Sequence, residues 1–218
     1  MSPSTFPIDP PAGRVPGTAR GGPSLRRLWP SDGPAVQAFF LRLDPDTRAS
    51  RFMAAMNDRT IATYAAQAMT APGLVLGVFV DGTLRALGEL RPYGLGRADT
   101  RTGEVALTVE RGFRRSGLGS RLLRRLAEAA RNHGIAELRL RCLPHNAPMR
   151  RLAAGLGAEV RLTEGESEGA IRLARATPLS LWREGFEVAL DFGLAVAALP
   201  LPAPLPAPPP LPFLRRAA

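Results

Sequence analysis

Lysine is absent from this chain: all 29 basic residues are arginine, against 19 acidic ones, giving a formal net charge of +10. A charge of that sign ordinarily suggests a polyanionic partner. Here the arginines are spread along the chain without aromatic interleaving, the pattern of an arginine-rich codon bias, so no specific nucleic-acid partner is expected. Cysteine occurs once and histidine twice. The single thiol excludes an internal disulfide framework and any multi-cysteine metal site, and two imidazoles leave little for metal chemistry, so no cofactor metal is expected. Long apolar runs are also missing. The first residues lack an apolar signal core, and the late run over 189–201 is short and interrupted by Asp191. These absences predict a cytoplasmic protein with no membrane partner. What is present, 218 residues of which 45% are hydrophobic, suffices for one good core.

Residues 1–21 are rich in Pro, Gly, Ser and Thr and read as a disordered lead. A strand is predicted over 23–28. Ser31 or Asp32 then caps a helix whose apolar stripe is Ala35, Val36, Phe39, Phe40 and Leu43. Asp44-Pro45 breaks it, a helical pattern resumes over 48–56, and Asp58 caps a further helix through Ile61, Tyr64, Ala65 and Met69. The apolar runs 74–80 and 83–90 flank Asp81-Gly82, a hairpin signal. Residues 92–103 read as a loop. Toward the C-terminus, 159–163 and 170–174 read as closing strands around a turn at 165–169. A helix is predicted within 178–198, packing either on the domain or on a second copy, so the oligomeric state stays open. From 199 to 218, proline alternates with Leu and Ala as an extended polyproline tail. Such a tail is either a solvated end or a docking peptide for an aromatic groove.

The middle of the chain carries the chemistry. Val105-Ala106-Leu107-Thr108-Val109 reads as a strand, Arg114-Arg115-Ser116-Gly117-Leu118-Gly119 as a loop, and Leu118, Leu122, Leu126 and Ala130 as the apolar face of a helix. Glycines in a strand–loop–helix turn leave backbone N–H groups uncovered at the positive end of the helix, a cradle for a phosphate. A second strand at 137–142 follows, then Asn146 opening a helix with Met149, Leu152 and Leu156, then Gly157.

This order resembles the GNAT superfamily of acyl-CoA-dependent N-acetyltransferases over residues 22–177. The sharpest likeness lies in the glycine loop and in the run from Asn146 to Gly157. Arg51-Phe52 and Asn146, Met149 and Leu152 look similar to the bacterial Pat-type protein lysine acetyltransferases. The resemblance implies an α/β (α+β) fold, a single domain with a mixed sheet of six to seven strands flanked by helices. It implies acetyl-CoA as co-substrate, with the backbone of Thr108, Val109 and Glu110 pairing with the pantetheine arm. The loop Arg114, Arg115, Ser116, Gly117, Leu118, Gly119 and Ser120 would hold the pyrophosphate, and Asn146 would cap its helix, contact the coenzyme, or both.

Transfer of an acetyl group to a primary amine needs a base, because an alkyl ammonium of pKa about 10.4 is protonated at neutral pH. Glu104 is the first candidate. It occupies the position where lysine acetyltransferases of this superfamily resemble one another in carrying a base glutamate, and strand alternation puts it on one face with Ala106 and Thr108. The plainer reading is a solvated strand-end carboxylate. Glu89 and Glu110 are the runners-up. The resemblance also puts the Thr108 amide near the thioester oxygen. Many family members carry a tyrosine where this chain has Ala153, which leaves solvent to protonate the departing thiolate. Cys142 reads as an apolar filler. The acceptor implied is a protein lysine side chain, with a small-molecule amine, or a weakly catalytic acyl-CoA-binding module, as alternatives.

Overall fold

The computed structural model describes residues 22–92, 102–163 and 165–197. The expected disordered lead (1–21), the proline-rich tail (199–218) and most of the 92–103 loop lie outside them. In chain order the elements are β1 (Ser24–Arg27), α1 (Gly33–Arg42), α2 (Pro45–Phe52), α3 (Asp58–Thr70), β2 (Leu74–Val80), β3 (Thr83–Pro92), β4 (Thr102–Val109), α4 (Leu118–Asn132), β5 (Glu137–Cys142), α5 (Ala147–Ala154), β6 (Glu159–Thr163), β7 (Glu166–Arg172) and α6 (Pro178–Ala197). The strands form one mixed seven-stranded sheet in the order β1-β2-β3-β4-β5-β7-β6. Every neighbouring pair is antiparallel except β4 and β5.

Alternation along the strands divides the core between the two faces. Val105, Leu138 and Leu140 are buried with Leu122, Leu123 and Leu126 of α4, and Met149 and Ala153 of α5 join them. On the opposite face Val75, Leu84 and Leu87 are buried with Phe39 and Phe40 of α1 and Ile61 of α3. The stripe predicted for α1 is the stripe that packs. Cys142 is buried in the first cluster, and burial pushes its thiol pKa up. It is core filling.

Several boundaries differ from expectation, each for a local reason. α2 starts at Pro45, because Asp44 accepts from the Thr47 amide as N-cap and proline suits the first helical turn. It stops at Phe52, where Met53 turns left-handed with φ 55°. The cap of α3 is Asn57, which accepts from the Thr60 amide at 2.9 Å, and Asp58 is the first helical residue. β7 extends back to Glu166, through residues expected to form a turn, because both β5 and β6 pair with it there.

Asp44 does more than cap. It also accepts from Arg111 at 2.9 Å, tying α2 to the segment that leads into the glycine loop. Burial raises its pKa, but hydrogen bonds from Thr47 and Arg111 outweigh that and bring it down to about 2 from 3.8. A carboxyl depressed on folding contributes stability above its unfolded pKa and loses it as pH falls through its folded one. Asp44→Ala should therefore cost about 1 kcal/mol at pH 7. In urea titrations the gap between the wild-type and variant midpoints should close between about pH 4 and pH 2.

Candidate active site

Where β4 and β5 meet, only Thr102, Gly103 and Glu104 find partners, opposite Glu137, Leu138 and Arg139. Both strands continue, β4 to Val109 and β5 to Cys142, without further pairing. The sheet thus forks, and Glu104 is the last rung before the fork opens. One arm of the fork is the far half of β4, left with an unpaired edge on the β5 side.

Ladder parity decides which backbone groups lie on that edge. β3 and β4 stay in register without a bulge from Ala86↔Val109 to Pro92↔Gly103, and the Glu110 amide donates to the Arg85 carbonyl at 3.0 Å. In an antiparallel ladder every second residue turns both polar groups toward the same neighbour. Thr108, like Glu110, therefore faces β3, while Leu107 and Val109 face the open fork. Of the three residues expected to pair with pantetheine, Val109 turns its backbone groups to the open edge, whereas Thr108 and Glu110 turn theirs to β3. The Thr108 amide, engaged with β3, is not aimed at a thioester in the fork. The sequence shows the strand but not which of its edges is spoken for.

A cleft of about 1000 Å³ opens from this edge. Of the residues singled out from the sequence, Thr108, Val109, Arg114, Arg115, Gly117, Gly119, Ser120 and Asn146 line it. Gly117 is the N-cap of α4 with φ 82°, a conformation costly for any residue with a Cβ. It offers no capping side chain, so the first amides of α4 are left for a ligand. At Gly119 the helix comes so near α5 that an added Cβ would lie 3.1 Å from Leu152 Cδ1. The predicted cap is present: the Asn146 side chain accepts from the Met149 amide at 3.2 Å.

Four of the chosen residues are not on the lining. Leu118 is buried in the core and offers backbone only, and the Ser116 hydroxyl donates to the Phe113 carbonyl at 2.5 Å. Glu110 is clamped between Arg42 and Arg85 at 2.8 Å each. Glu104 stands at the base of the fork, 3.1 Å from Arg141, with its side chain about one-third exposed. Ala153 is fully buried, its side chain in the core, and brings no polar group to the cleft.

The lining also includes residues that the loop motif does not announce. Six arginines border it, Arg51, Arg111, Arg114, Arg115, Arg124 and Arg151, and among the described residues no carboxylate does. Arg114 is occupied by its own chain, donating to Thr47 Oγ1 at 2.5 Å and to the Val109 carbonyl at 3.2 Å. Arg111 is paired with Asp44 and Asp46. Arg124 could have been found from sequence: it follows Gly117 and Ser120 at i+7 and i+4, on the same helical stripe. A cleft with uncovered helix amides at one end and this much positive charge fits coenzyme A, which carries a pyrophosphate and a ribose phosphate. Among the described residues no group of three His, Cys, Asp or Glu is placed to hold a metal ion.

The α2 side of the cleft is held by a buried ionic group. The Glu89 carboxylate, 3% exposed, is 2.5 Å from Arg51 and 2.8 Å from Arg91, and accepts from the Tyr64 hydroxyl at 2.8 Å. Burial alone would raise the Glu89 pKa, but the Arg51 charge and the bonds from Arg91 and Tyr64 leave it lowered. Burial pushes the Tyr64 phenol up to about 12. Arg91 also donates to the Ala68 carbonyl at the end of α3. Both runner-up bases, Glu89 and Glu110, are thus committed to two guanidiniums apiece.

A forked mixed sheet whose open strand edge leads to a glycine-capped helix in an arginine-lined cleft defines an acyl-CoA-binding α/β fold of the acyltransferase kind. Residues 35–158 match the Acetyltransferase (GNAT) family, and the chain belongs to it. Acetyl-CoA is the co-substrate of this family. Among solved structures the chain is similar to the GNAT domain of S. lividans PAT, at 22% identity and TM-score 0.62, covering 68% of this chain and 89% of that one. It is also similar to yncA from Salmonella typhimurium, solved with acetyl-CoA, at 17% identity and TM-score 0.56, covering 72% and 97%. The ribosomal-protein-S18-alanine N-acetyltransferase from Escherichia coli matches at 18% identity and TM-score 0.51, again covering 72% and 97%. No helix among the described residues is long and apolar enough to cross a membrane.

Proposed function

We propose that this protein is an N-acetyltransferase that moves the acetyl group of acetyl-CoA to a primary amine, with protein lysine side chains in the cytoplasm as acceptors and Glu104 as the general base. The observation that carries the reading is the position of Glu104, the last paired residue of β4 before the strand edge opens into the cleft. The loop amides from Gly117 onward and the lining residues Arg115, Arg124 and Arg151 hold the phosphates. Pantetheine lies along the edge of Leu107 and Val109, which aims the thioester toward the base of the fork. Thr108 lies four residue steps along β4 from Glu104, about 13 Å, so the base and the phosphate cradle serve opposite ends of one extended ligand.

In the reaction the acceptor ammonium gives a proton to Glu104, directly or through water. The neutral amine attacks the carbonyl carbon and a C–N bond forms; the C–S bond breaks, the nitrogen gives up its second proton to solvent, and the thiolate takes one from solvent. A thiolate is a good enough leaving group for this, with a thiol pKa near 8.5. Lysine acceptors are supported by the Pat-like residues Arg51-Phe52, Asn146, Met149 and Leu152, and by the likeness to the S. lividans PAT domain. With no lysine of its own, the protein has no side-chain ε-amine to acetylate on itself.

The test is incubation with labelled acetyl-CoA and the protein fraction of cells lacking this gene, followed by mass spectrometry of acetylated peptides. Acetyl-lysine that depends on the added protein supports the reading. Acetylation confined to small amines replaces the acceptor. Tight acetyl-CoA binding with no transfer to any amine rejects catalysis.

A further inference from the structure

α6 turns an apolar stripe outward. Among the described residues its hydrogen bonds to the domain run to α4: Asn132 donates to the Ser180 carbonyl at 3.1 Å and to the Glu184 carboxylate, and the Ser180 hydroxyl donates back to Asn132 at 2.7 Å. Those bonds fix the rotation of the helix about its own axis. The stripe left facing outward is apolar. Leu179, Trp182, Phe186 and Leu190, spaced i, i+3, i+7 and i+11, are 74%, 70%, 57% and 53% exposed. Trp182 and Phe186 lie stacked, their centroids 6.0 Å apart and their planes within 9°. Helices of soluble domains turn such a stripe inward, and a contiguous exposed one marks a contact surface.

We propose that this face is a docking site for the proline-rich segment at residues 199–214 of the same chain, laid over the Trp182–Phe186 ledge as a polyproline II strand. Three arguments select this occupant. The first is chemistry: between 200 and 212 the chain has eight prolines, interspersed only with leucine and alanine. Polyproline II strands dock on aromatic surfaces and lose little entropy in doing so, because they are already extended. The second is reach. From Ala197 back to Trp182 is about 22 Å along the helix, which a polyproline strand covers in about seven residues. The segment 199–214 has that length about twice over.

The third argument is area. Four partly exposed side chains offer on the order of 500 Å², given about 150–250 Å² for a large aromatic. A stable dimer needs about 800 Å² per partner. A tethered segment needs less, since its effective concentration is in the millimolar range. Charge disfavours a membrane as occupant: the ionisable residues of α6 are Arg183, Glu184, Glu187 and Asp191, a net negative set, whereas helices that lie on anionic bilayers are basic on their polar face.

The experiment uses the full-length chain carrying Trp29→Phe, which leaves Trp182 as the sole tryptophan reporter. Acrylamide quenching of Trp182 should be at least threefold weaker than that of free N-acetyltryptophanamide. Replacing the eight tail prolines by serine should restore quenching about threefold, at every protein concentration. Phe186→Ala should do the same, with far-UV circular dichroism confirming that the helix persists. Three results would overturn the proposal: full quenching of Trp182 in the intact chain, protection that survives the loss of the prolines, or protection that disappears on dilution, which would make a second copy the occupant.

Discussion

Glu104→Gln is expected to lower turnover roughly a hundredfold or more, the usual contribution of a general base, equivalent to about 2.7 kcal/mol on the barrier. The substitution keeps the size of the side chain and an oxygen for Arg141 to hold, so the base of the fork keeps its shape. What it removes is the ability to take a proton. Acetyl-CoA affinity, measured by calorimetry, should stay within about twofold, because Glu104 is not among the residues lining the coenzyme cleft. The loss should also depend on the acceptor. An amine whose pKa lies near neutrality is already partly deprotonated and gains less from a base, so the defect should shrink along a series of increasingly acidic amines. Turnover unchanged by the substitution, or a defect equal for all amines, would remove Glu104 from the reaction. Glu89 and Glu110 are poor replacements, since each is already held by two guanidiniums.

The parts of this architecture that are local in the chain were legible in the sequence. The strand–loop–helix order around Gly117, the Asp81-Gly82 hairpin and the Asn146 cap depend on neighbours a few residues apart, and the structure has all three. What depends on pairing was not legible. Whether Thr108 or Val109 turns its amide to the open edge follows from β3 occupying the other edge of β4, a fact of register that no residue type announces. The start of α2 was nearer to view, because Asp44-Pro45 with Thr47 is a cap followed by a first-turn proline as well as a helix break. β7 was misjudged at Gly169, where an added Cβ would fall 2.7 Å from Leu140 Cδ1. That glycine marks close packing over a strand rather than a turn. Glu89 held a clue of its own. A carboxylate in the run Leu87-Gly88-Glu89-Leu90 cannot be buried without cationic partners, and of the partners it finds, Arg51 and Arg91, the first borders the cleft.

Glu89→Ala is therefore expected to be the most destabilising single substitution in the neighbourhood of the cleft, at about 3–5 kcal/mol, the cost of leaving a buried charge without its partner. Arg51 has a side chain only 12% exposed, and two of its bonds, to Glu89 and to Tyr64, belong to this group. With the carboxylate gone, the guanidinium is left among Phe52, Tyr64 and the core, and the Tyr64 hydroxyl loses its acceptor. For a chain of this size the loss corresponds to about 10 °C in Tm. Acid should produce part of the same effect in the wild type. Because the Glu89 pKa is lowered on folding, its contribution is complete above the ordinary value of 4.5 and drains away as pH falls through the folded one. The Tm difference between wild type and Glu89→Ala should narrow below about pH 4. Replacing the buried pair, with Arg51→Met alongside Glu89→Leu, should recover much of the stability, since an apolar pair of similar volume pays no desolvation. It should not recover the coenzyme cleft. Arg51, together with Thr47 and Ser50 of the same helix, borders the cavity, and without the tie to Glu89 this end of α2 is free to shift although Asp44 and Thr47 still hold its start to Arg111 and Arg114. A variant stable at 37 °C with a raised KM for acetyl-CoA would show that the ionic group positions the wall. A variant with native stability and native KM would make it dispensable.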